Sequence, residues 1–194
     1  MITMRNNRGD TLIEVLLGVA IFSLVAVGAL SIMNQGSMMA QRSLEMTQVR
    51  NQIDGQAEAL RFLNARYIAK GASDGKWLAI QQYIKNAGLT TIKDIAGICP
   101  DVAPPGSFII NTAASVSLVR FDIIPDYFHS ASTFSQLRID PAYNIAWAEG
   151  VWIEGIAIPG SKYIDFYIRT CWDSLGQSVP STLSTTVRLY DPKI

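Results

Sequence analysis

Hydrophobic positions follow two different patterns along the first 70 residues. The 27 residues from Val15 to Gln41 carry no charge. Their apolar core, Val15 to Met33, would be about 28 Å long as a helix, close to the roughly 30 Å of a bilayer's hydrocarbon layer. From Met46 onward, apolar residues recur at steps of three and four, as on one face of an amphipathic helix: Val49, Ile53, Ala57, Leu60, Leu63 and Tyr67. With no proline before Pro100, the patterns predict one helix from Thr11 to Lys70. Its first half needs lipid or neighbouring subunits, and its second half needs a globular domain.

The rest of the chain reads first as a short helix and then as strands. Residues 71–75 end the long helix, a second helix covers Trp77 to Asn86, and residues 97–106 form a connector that contains Cys99. The strand candidates are rich in β-branched and aromatic residues: 108–111, 115–121, 134–139, 151–158, 164–172 and 184–190. We therefore predict an α+β fold, in which an antiparallel sheet of four or more strands packs on the amphipathic half of the long N-terminal helix.

A single carboxylate, Glu14, stands at the head of the apolar run. Burying a lone carboxylate costs several kcal/mol, so Glu14 needs a partner. Residues 1–9 are short and polar, with Arg5 and Arg8 as their only charges. Positive charge before the span favours an N-terminus in the cytoplasm, with the chain after Gln35 outside. Cleavage after the apolar run would meet only a poor site of small residues, whereas cleavage at Gly9 would leave the apolar helix on the mature protein.

The run Gly9-Asp10-Thr11-Leu12-Ile13-Glu14, with its basic leader and apolar stretch, resembles the N-terminus of type IV pilins and of type II secretion pseudopilins. The resemblance implies that a prepilin peptidase cuts between Gly9 and Asp10, and that the new amine of Asp10 is the candidate for methylation. Asp10 itself departs from the family, where the first mature residue is usually apolar. The resemblance also implies an assembly role for Thr11 and Glu14, with Glu14 paired to the Asp10 amine of a neighbouring subunit.

The resemblance further implies a division of the chain into four parts: a leader at 1–9, a transmembrane and filament-core half-helix at 10–35, an amphipathic half-helix at 36–70, and a pilin-like globular domain at 71–194. Such a protein is a structural subunit and not an enzyme. It would begin as a single-pass precursor in the cytoplasmic membrane and end in an extracellular or cell-surface filament. Its partners would be the prepilin peptidase, other pilin subunits, and the assembly platform with its ATPase.

The polar start at Asp10 and the moderately large domain after Lys70 favour a minor pilin or pseudopilin. The filament would serve adhesion, motility, DNA uptake or secretion, and display of an adhesin at its tip is compatible with this role. The alternative is an anchored extracellular binding domain or enzyme with an uncleaved N-terminus. That alternative predicts a cluster of polar residues in a pocket of the C-terminal domain.

Cys99 and Cys171 are the only cysteines. In an exported domain they are expected to form one disulfide, and closing a loop of about 70 residues would contribute roughly 4 kcal/mol. Two buried free thiols are the alternative. Two cysteines and the single histidine, His129, do not supply a plausible metal site, and no cofactor is predicted. His129 is expected in a surface loop.

The formal net charge is zero. Removal of Arg5 and Arg8 would leave 14 basic and 16 acidic residues. This near-neutral charge argues against nucleic acid as a general partner. Two weaker ideas are a DNA-binding stripe and a calcium site. The stripe would use Lys85, Lys93, Arg120, Arg138, Arg169 and Arg188, and the calcium site would draw on Asp122, Asp126, Asp140, Asp165 and Asp173.

The aromatic residues of the strands are expected mainly in the core: Trp147, Trp152, Phe166, Tyr167 and Trp172.

Overall fold

The computed structural model of the chain describes residues 10–71, 75–95, 97–112, 116–142, 144–174 and 176–190, without the side chains of Asp10, Thr11 and Pro125. The chain forms two compact units, divided between Leu44 and Glu45. Each unit is described by itself below.

Two helices come first along the chain. Helix α1 runs from Asp10 to Lys70, one residue longer at its start than predicted. Gly71 follows it with a φ of 70°, a left-handed conformation that glycine adopts without steric cost. Helix α2 covers Gly75–Ala87, and Gly88, with a φ of 60°, ends it by donating its N–H to the carbonyl of Ile84 at 3.0 Å.

The described residues after α2 contain eight strands: β1 Phe108–Asn111, β2 Ser117–Arg120, β3 Phe128–His129, β4 Gln136–Ile139, β5 Ile145–Glu149, β6 Val151–Ala157, β7 Tyr163–Trp172 and β8 Ser181–Tyr190. A five-stranded sheet has the order β2-β1-β6-β7-β8, and a three-stranded sheet has the order β3-β5-β4. Every neighbouring pair in the larger sheet is antiparallel. The α+β fold with a long helix and an antiparallel sheet is therefore confirmed.

The smaller sheet was not fully anticipated. Strand β5 was missed, and β3, which pairs parallel to it, was missed as well. Both are short and follow turn-forming segments, so neither produces a long alternating pattern. Strand β8 begins at Ser181, three residues before the predicted start, because its first residues are mostly polar and stay partly exposed.

The first core lies between the helices and one face of the larger sheet. The predicted stripe of α1 is buried there, and α2 contributes Trp77, Ile80 and Ile84. Each such large apolar side chain contributes about 1.5–3 kcal/mol when it leaves water. Helix α2 sits directly on β6 at Gly155, where an added Cβ would lie 2.5 Å from the Cδ1 of Ile84.

A buried glutamine joins α1 to the sheet. The amide of Gln56 donates to the carbonyl of Ile110 and accepts from its N–H, both at 2.8 Å. Strand β1 pairs with β6 at Phe108 and Ile153, and β6 begins at Val151. Gln56 thus supplies a backbone-like partner to Ile110 where the ladder between β1 and β6 ends.

The second core lies between the two sheets. It contains Ile109, Phe128, Trp152 and the disulfide, which joins Cys99 to Cys171 with an S–S distance of 2.07 Å and Cα atoms 5.4 Å apart. The expected disulfide is present, and it fixes the connector after α2 to strand β7. Of the five aromatic residues expected in the core, Trp152, Phe166 and Trp172 are fully buried, whereas Trp147 is 39% exposed.

Candidate assembly helix and processing site

The first half of α1 is an apolar surface on all sides. Its large side chains from Leu12 to Met33 are between 57% and 77% exposed. The helix is long and apolar enough to cross a membrane by length and composition, and it lies near the N-terminus. The hydroxyl of Ser23 donates to the carbonyl of Val19 at 2.7 Å, so this polar group is satisfied within the helix and does not need water.

The predicted processing site lies at the first residue of this helix. Asp10 begins α1, whereas Gly9 falls outside the described residues, as do the side chains of Asp10 and Thr11. Glu14 follows Asp10 by four residues, so it is one helical turn further along the axis. Its side chain is exposed between Ile13 and Val15, which are 68% and 64% exposed. No ion-pair partner of Glu14 lies among the described residues.

The first half of α1 is thus apolar with Asp10 and Glu14 at its start, whereas the stripe from Val49 to Tyr67 in its later half is buried in a hydrophobic core. A soluble monomer could not keep the first half in water, because so large an exposed apolar surface favours a membrane or another protein. Comparison with known families gives the deciding observation: residues 4–30 match the model of the prokaryotic N-terminal methylation motif.

This N-terminal segment is similar to that of type IV pilins and pseudopilins. The matched segment covers residues 4–9 of the leader with Arg5 and Arg8, the Gly9-Asp10 pair and most of the apolar half of α1. The motif implies processing by prepilin peptidase, a membrane-anchored precursor and assembly with other pilin subunits. Proteins with this motif are structural. No curated protein and no solved structure matches the chain significantly.

Most of the basic residues considered for a DNA-binding stripe have an acidic neighbour in the part of the chain that the structure describes. Four of the six candidates are paired with carboxylates: Arg120 with Asp122, Arg138 with Glu149, Arg169 with Glu154, and Arg188 with Asp165. The guanidinium of Arg120 holds the pKa of the Asp122 carboxyl below its usual value. The hydrogen bond from Arg188 to Asp165 raises the pKa of that guanidinium in turn.

Within the described part of the chain, no group of three or more potential metal ligands is present. The oxygen Oδ1 of Asp140 accepts the N–H groups of Ala142 and Asn144 at 2.9 and 2.8 Å, so this aspartate shapes its own turn. His129 is exposed at the end of the short strand β3, and its ring meets that of Trp147 edge-on at 6.0 Å.

Two buried carboxylates were missed by the sequence analysis. Glu45 accepts hydrogen bonds from the Trp172 indole at 3.3 Å and from the Ser174 hydroxyl at 2.6 Å. Glu45 lies four residues before Val49, on the same face of α1 as the apolar stripe, and this spacing could have predicted that its side chain is buried. Glu154 forms a buried ion pair with Arg169 at 3.0 Å, and nothing in the pattern of β6 indicated it.

Proposed function

We propose that the mature protein begins at Asp10 and serves as a subunit of a type IV pilus-like filament, after cleavage of residues 1–9 by prepilin peptidase. The apolar half-helix at 10–35 anchors the precursor in the membrane and later enters the filament core. The amphipathic half at 36–70 carries the globular domain at 71–194. The protein performs no catalysis of its own.

The observation that supports this proposal is the carboxylate of Glu14 directly before a long, exposed run of the helix, Val15 to Gln41, that carries no charge. In a membrane or a filament core, an unpaired carboxylate costs several kcal/mol. The amine of Asp10, released by cleavage, is the charge of opposite sign that every neighbouring subunit carries. Pairing of Glu14 with that amine neutralises both groups and sets the axial offset between adjacent helices.

The same proposal assigns the protein a minor position in the filament. Asp10 places a second carboxylate beside the new amine, which suits a subunit present in few copies better than a core built by repetition. The platform and its ATPase would extract the helix from the membrane toward the cell surface. Quantitative mass spectrometry of sheared filaments tests this point, since we expect this chain in far fewer copies than the principal subunit.

Substitution of Glu14 tests the assembly role. With the native assembly machinery present, we expect Glu14→Leu to be exported and cleaved normally but reduced at least tenfold in the sheared filament fraction. Glu14→Asp should restore part of the incorporation. Glu58→Leu is the matched control, because Glu58 is an exposed acid of the same helix whose ion-pair partner among the described residues is Arg61. Incorporation of Glu14→Leu at the wild-type level would rule out the proposed pairing.

The rival proposal is an anchored binding domain or enzyme that keeps its N-terminus. In that case, processing would not occur at Gly9, and Glu14→Leu would leave the protein's location unchanged. An intact-mass measurement distinguishes the two proposals even before any filament has been isolated.

A further inference from the structure

A cavity of about 530 Å³ lies between strands β6 and β7 and the connector that follows α2. The part of the connector that lines it falls within residues 88–95 and 97–105. Its volume falls within the roughly 300–1,000 Å³ that is typical of ligand pockets. The walls are largely apolar and include Leu89, Ile95, Ile98 and Pro104. The charged lining residues balance one another: Lys93 and Asp94 on the connector, and Glu154 and Arg169 on the strands. This combination of apolar walls with a few polar groups resembles a binding pocket more than a packing defect.

The charged pair is held in place by its surroundings. One oxygen of Glu154, Oε2, accepts from the Trp152 indole at 3.1 Å and from Nη1 of Arg169 at 3.0 Å. The same Nη1 donates to the carbonyl of Lys93 at 2.7 Å. The guanidinium also lies 5.5 Å from the centre of the Trp152 ring. These contacts fix both side chains before any ligand arrives, which lowers the entropic cost of binding.

The pair retains hydrogen-bonding capacity toward the cavity. Among the described residues, no hydrogen-bond partner is found for Oε1 of Glu154 or for Nη2 of Arg169, and neither atom is a fully buried orphan. Both residues line the cavity. A bound molecule would therefore meet a hydrogen-bond acceptor next to a hydrogen-bond donor, on a pair with no net charge.

An amide matches this pair better than a charged group does. Its N–H donates to a carboxylate oxygen and its carbonyl accepts from a guanidinium, without adding charge to a buried site. A carboxylate ligand would satisfy Arg169 but face Glu154, and an amine would do the reverse. We propose that the cavity binds an uncharged, apolar peptide segment, with one main-chain amide on Glu154 and Arg169 and its side chains against the connector.

The cavity is lined by residues that lie outside the first half of α1. Apart from Glu154 and Arg169, the lining residues belong to 88–95 and 97–105, which are tied to strand β7 by the Cys99–Cys171 disulfide and by the hydrogen bond from Arg169 to Lys93. They belong wholly to the unit that begins at Glu45. The site would therefore be present in the precursor as well as in the mature subunit.

The probe for the first experiment is the blocked dipeptide acetyl-Leu-Leu-amide. The full chain in lipid nanodiscs, labelled at the isoleucine δ1 methyl groups, is titrated and observed by methyl NMR. We expect saturable shifts at Ile95 and Ile98 and none at Ile80, which lies in the other core. The free acid acetyl-Leu-Leu should bind at least threefold more weakly. Absence of saturable shifts, or equal binding of amide and acid, would overturn the proposal.

Two connector residues offer a matched pair of variants. Ile98 and Val102 are 76% and 77% exposed, but Ile98 lines this cavity whereas Val102 lines a separate one of about 130 Å³. With Ile95 as reporter, Ile98→Ser should weaken binding of the dipeptide amide about tenfold, and Val102→Ser should change it less than twofold. Equal effects of the two variants would contradict the assignment.

Glu154→Gln tests the polar end of the site. The substituted amide can still accept from Trp152, but the ion pair with Arg169 is lost, so the preference for amide over acid should disappear. An unchanged Ile80 methyl signal would show that the first core is intact. A variant that keeps the full preference for the amide would argue against recognition by Glu154, and if this variant fails to fold, the pair of connector variants still decides the question.

Discussion

The carboxylate of Glu45 accepts a 2.6 Å hydrogen bond from the hydroxyl of Ser174, which lies 129 residues further along the chain. The indole N–H of Trp172 donates to the same oxygen at 3.3 Å. Glu45 is buried, and it is the first residue of the unit that contains the globular domain. It therefore fastens α1 to the end of strand β7, where the disulfide also acts through Cys171.

Replacing Glu45 with alanine should lower the free energy of unfolding by about 2 kcal/mol, because the Trp172 and Ser174 donors lose their acceptor in a buried site. Glu58→Ala is the control, since its exposed pair with Arg61 should contribute less than about 1 kcal/mol. Denaturant unfolding followed by tryptophan fluorescence measures both variants. A loss for Glu45→Ala no larger than that for Glu58→Ala would contradict the fastening role.

Gln56 provides a second test of how α1 is joined to the sheet. Gln56→Leu leaves the N–H and carbonyl of Ile110 without their side-chain partner, so we expect a loss of about 2–4 kcal/mol. Hydrogen exchange of the Ile110 amide should also accelerate. Gln48→Leu, at an exposed position of the same helix, should leave both measurements nearly unchanged. Slow exchange at Ile110 in the Gln56 variant would show that the amide pair does not protect β1.

The disulfide should contribute strongly to stability. The two cysteines are 72 residues apart in sequence, and chain entropy then predicts a contribution of about 4 kcal/mol. The double variant Cys99→Ala with Cys171→Ala should show this loss, and wild-type protein treated with a reductant should match it. If the reduced protein unfolds at the same denaturant concentration as the oxidised protein, the disulfide does not stabilise the domain.

Tyr83 should make stability depend on alkaline pH. Burial, followed by the charge of Asp122, raises the pKa of Tyr83 from 10.0 to about 12. The unfolded chain therefore loses this proton first. The stability that the folded protein gains from the protonated phenol of Tyr83 is complete below pH 10, and it is lost as the pH rises toward 12.

Unfolding measured between pH 9 and 12 tests this dependence. The decline in stability should be steeper for the wild type than for Tyr83→Phe, which has no phenolic proton. Parallel decline in the two proteins would show that Tyr83 titrates normally.

The long helix and most strands of the larger sheet could be predicted from sequence because their signals are local. Steps of three and four from Val49 to Tyr67 define one buried face. In β7, the core residues Ile164, Phe166 and Ile168 alternate with Asp165, Tyr167 and Arg169. The Gly9–Glu14 run was equally readable as a motif. The contacts that the sequence did not predict join residues far apart in the chain. Gln56 forms hydrogen bonds with Ile110, and Glu45 accepts one from Ser174. The ion pair of Glu154 with Arg169 follows from the register of β6 and β7.

The small sheet escaped prediction for a related physical reason. Strand β3 has two residues, too few to show an alternating pattern, and it is recognised as a strand because it pairs with β5. The weaker idea of a DNA-binding stripe likewise depended on the fold, because composition alone does not show the carboxylates that lie beside Arg120, Arg138, Arg169 and Arg188.

The intact mass of the protein isolated from membranes and sheared filaments tests the central claim most directly. The account predicts a chain that starts at Asp10, retains its apolar helix and has lost the nine leader residues that end at Gly9, with or without a methyl group on the new amine. A mass corresponding to a start at Met1, or to a start after residue 29 with the apolar helix removed, would contradict it.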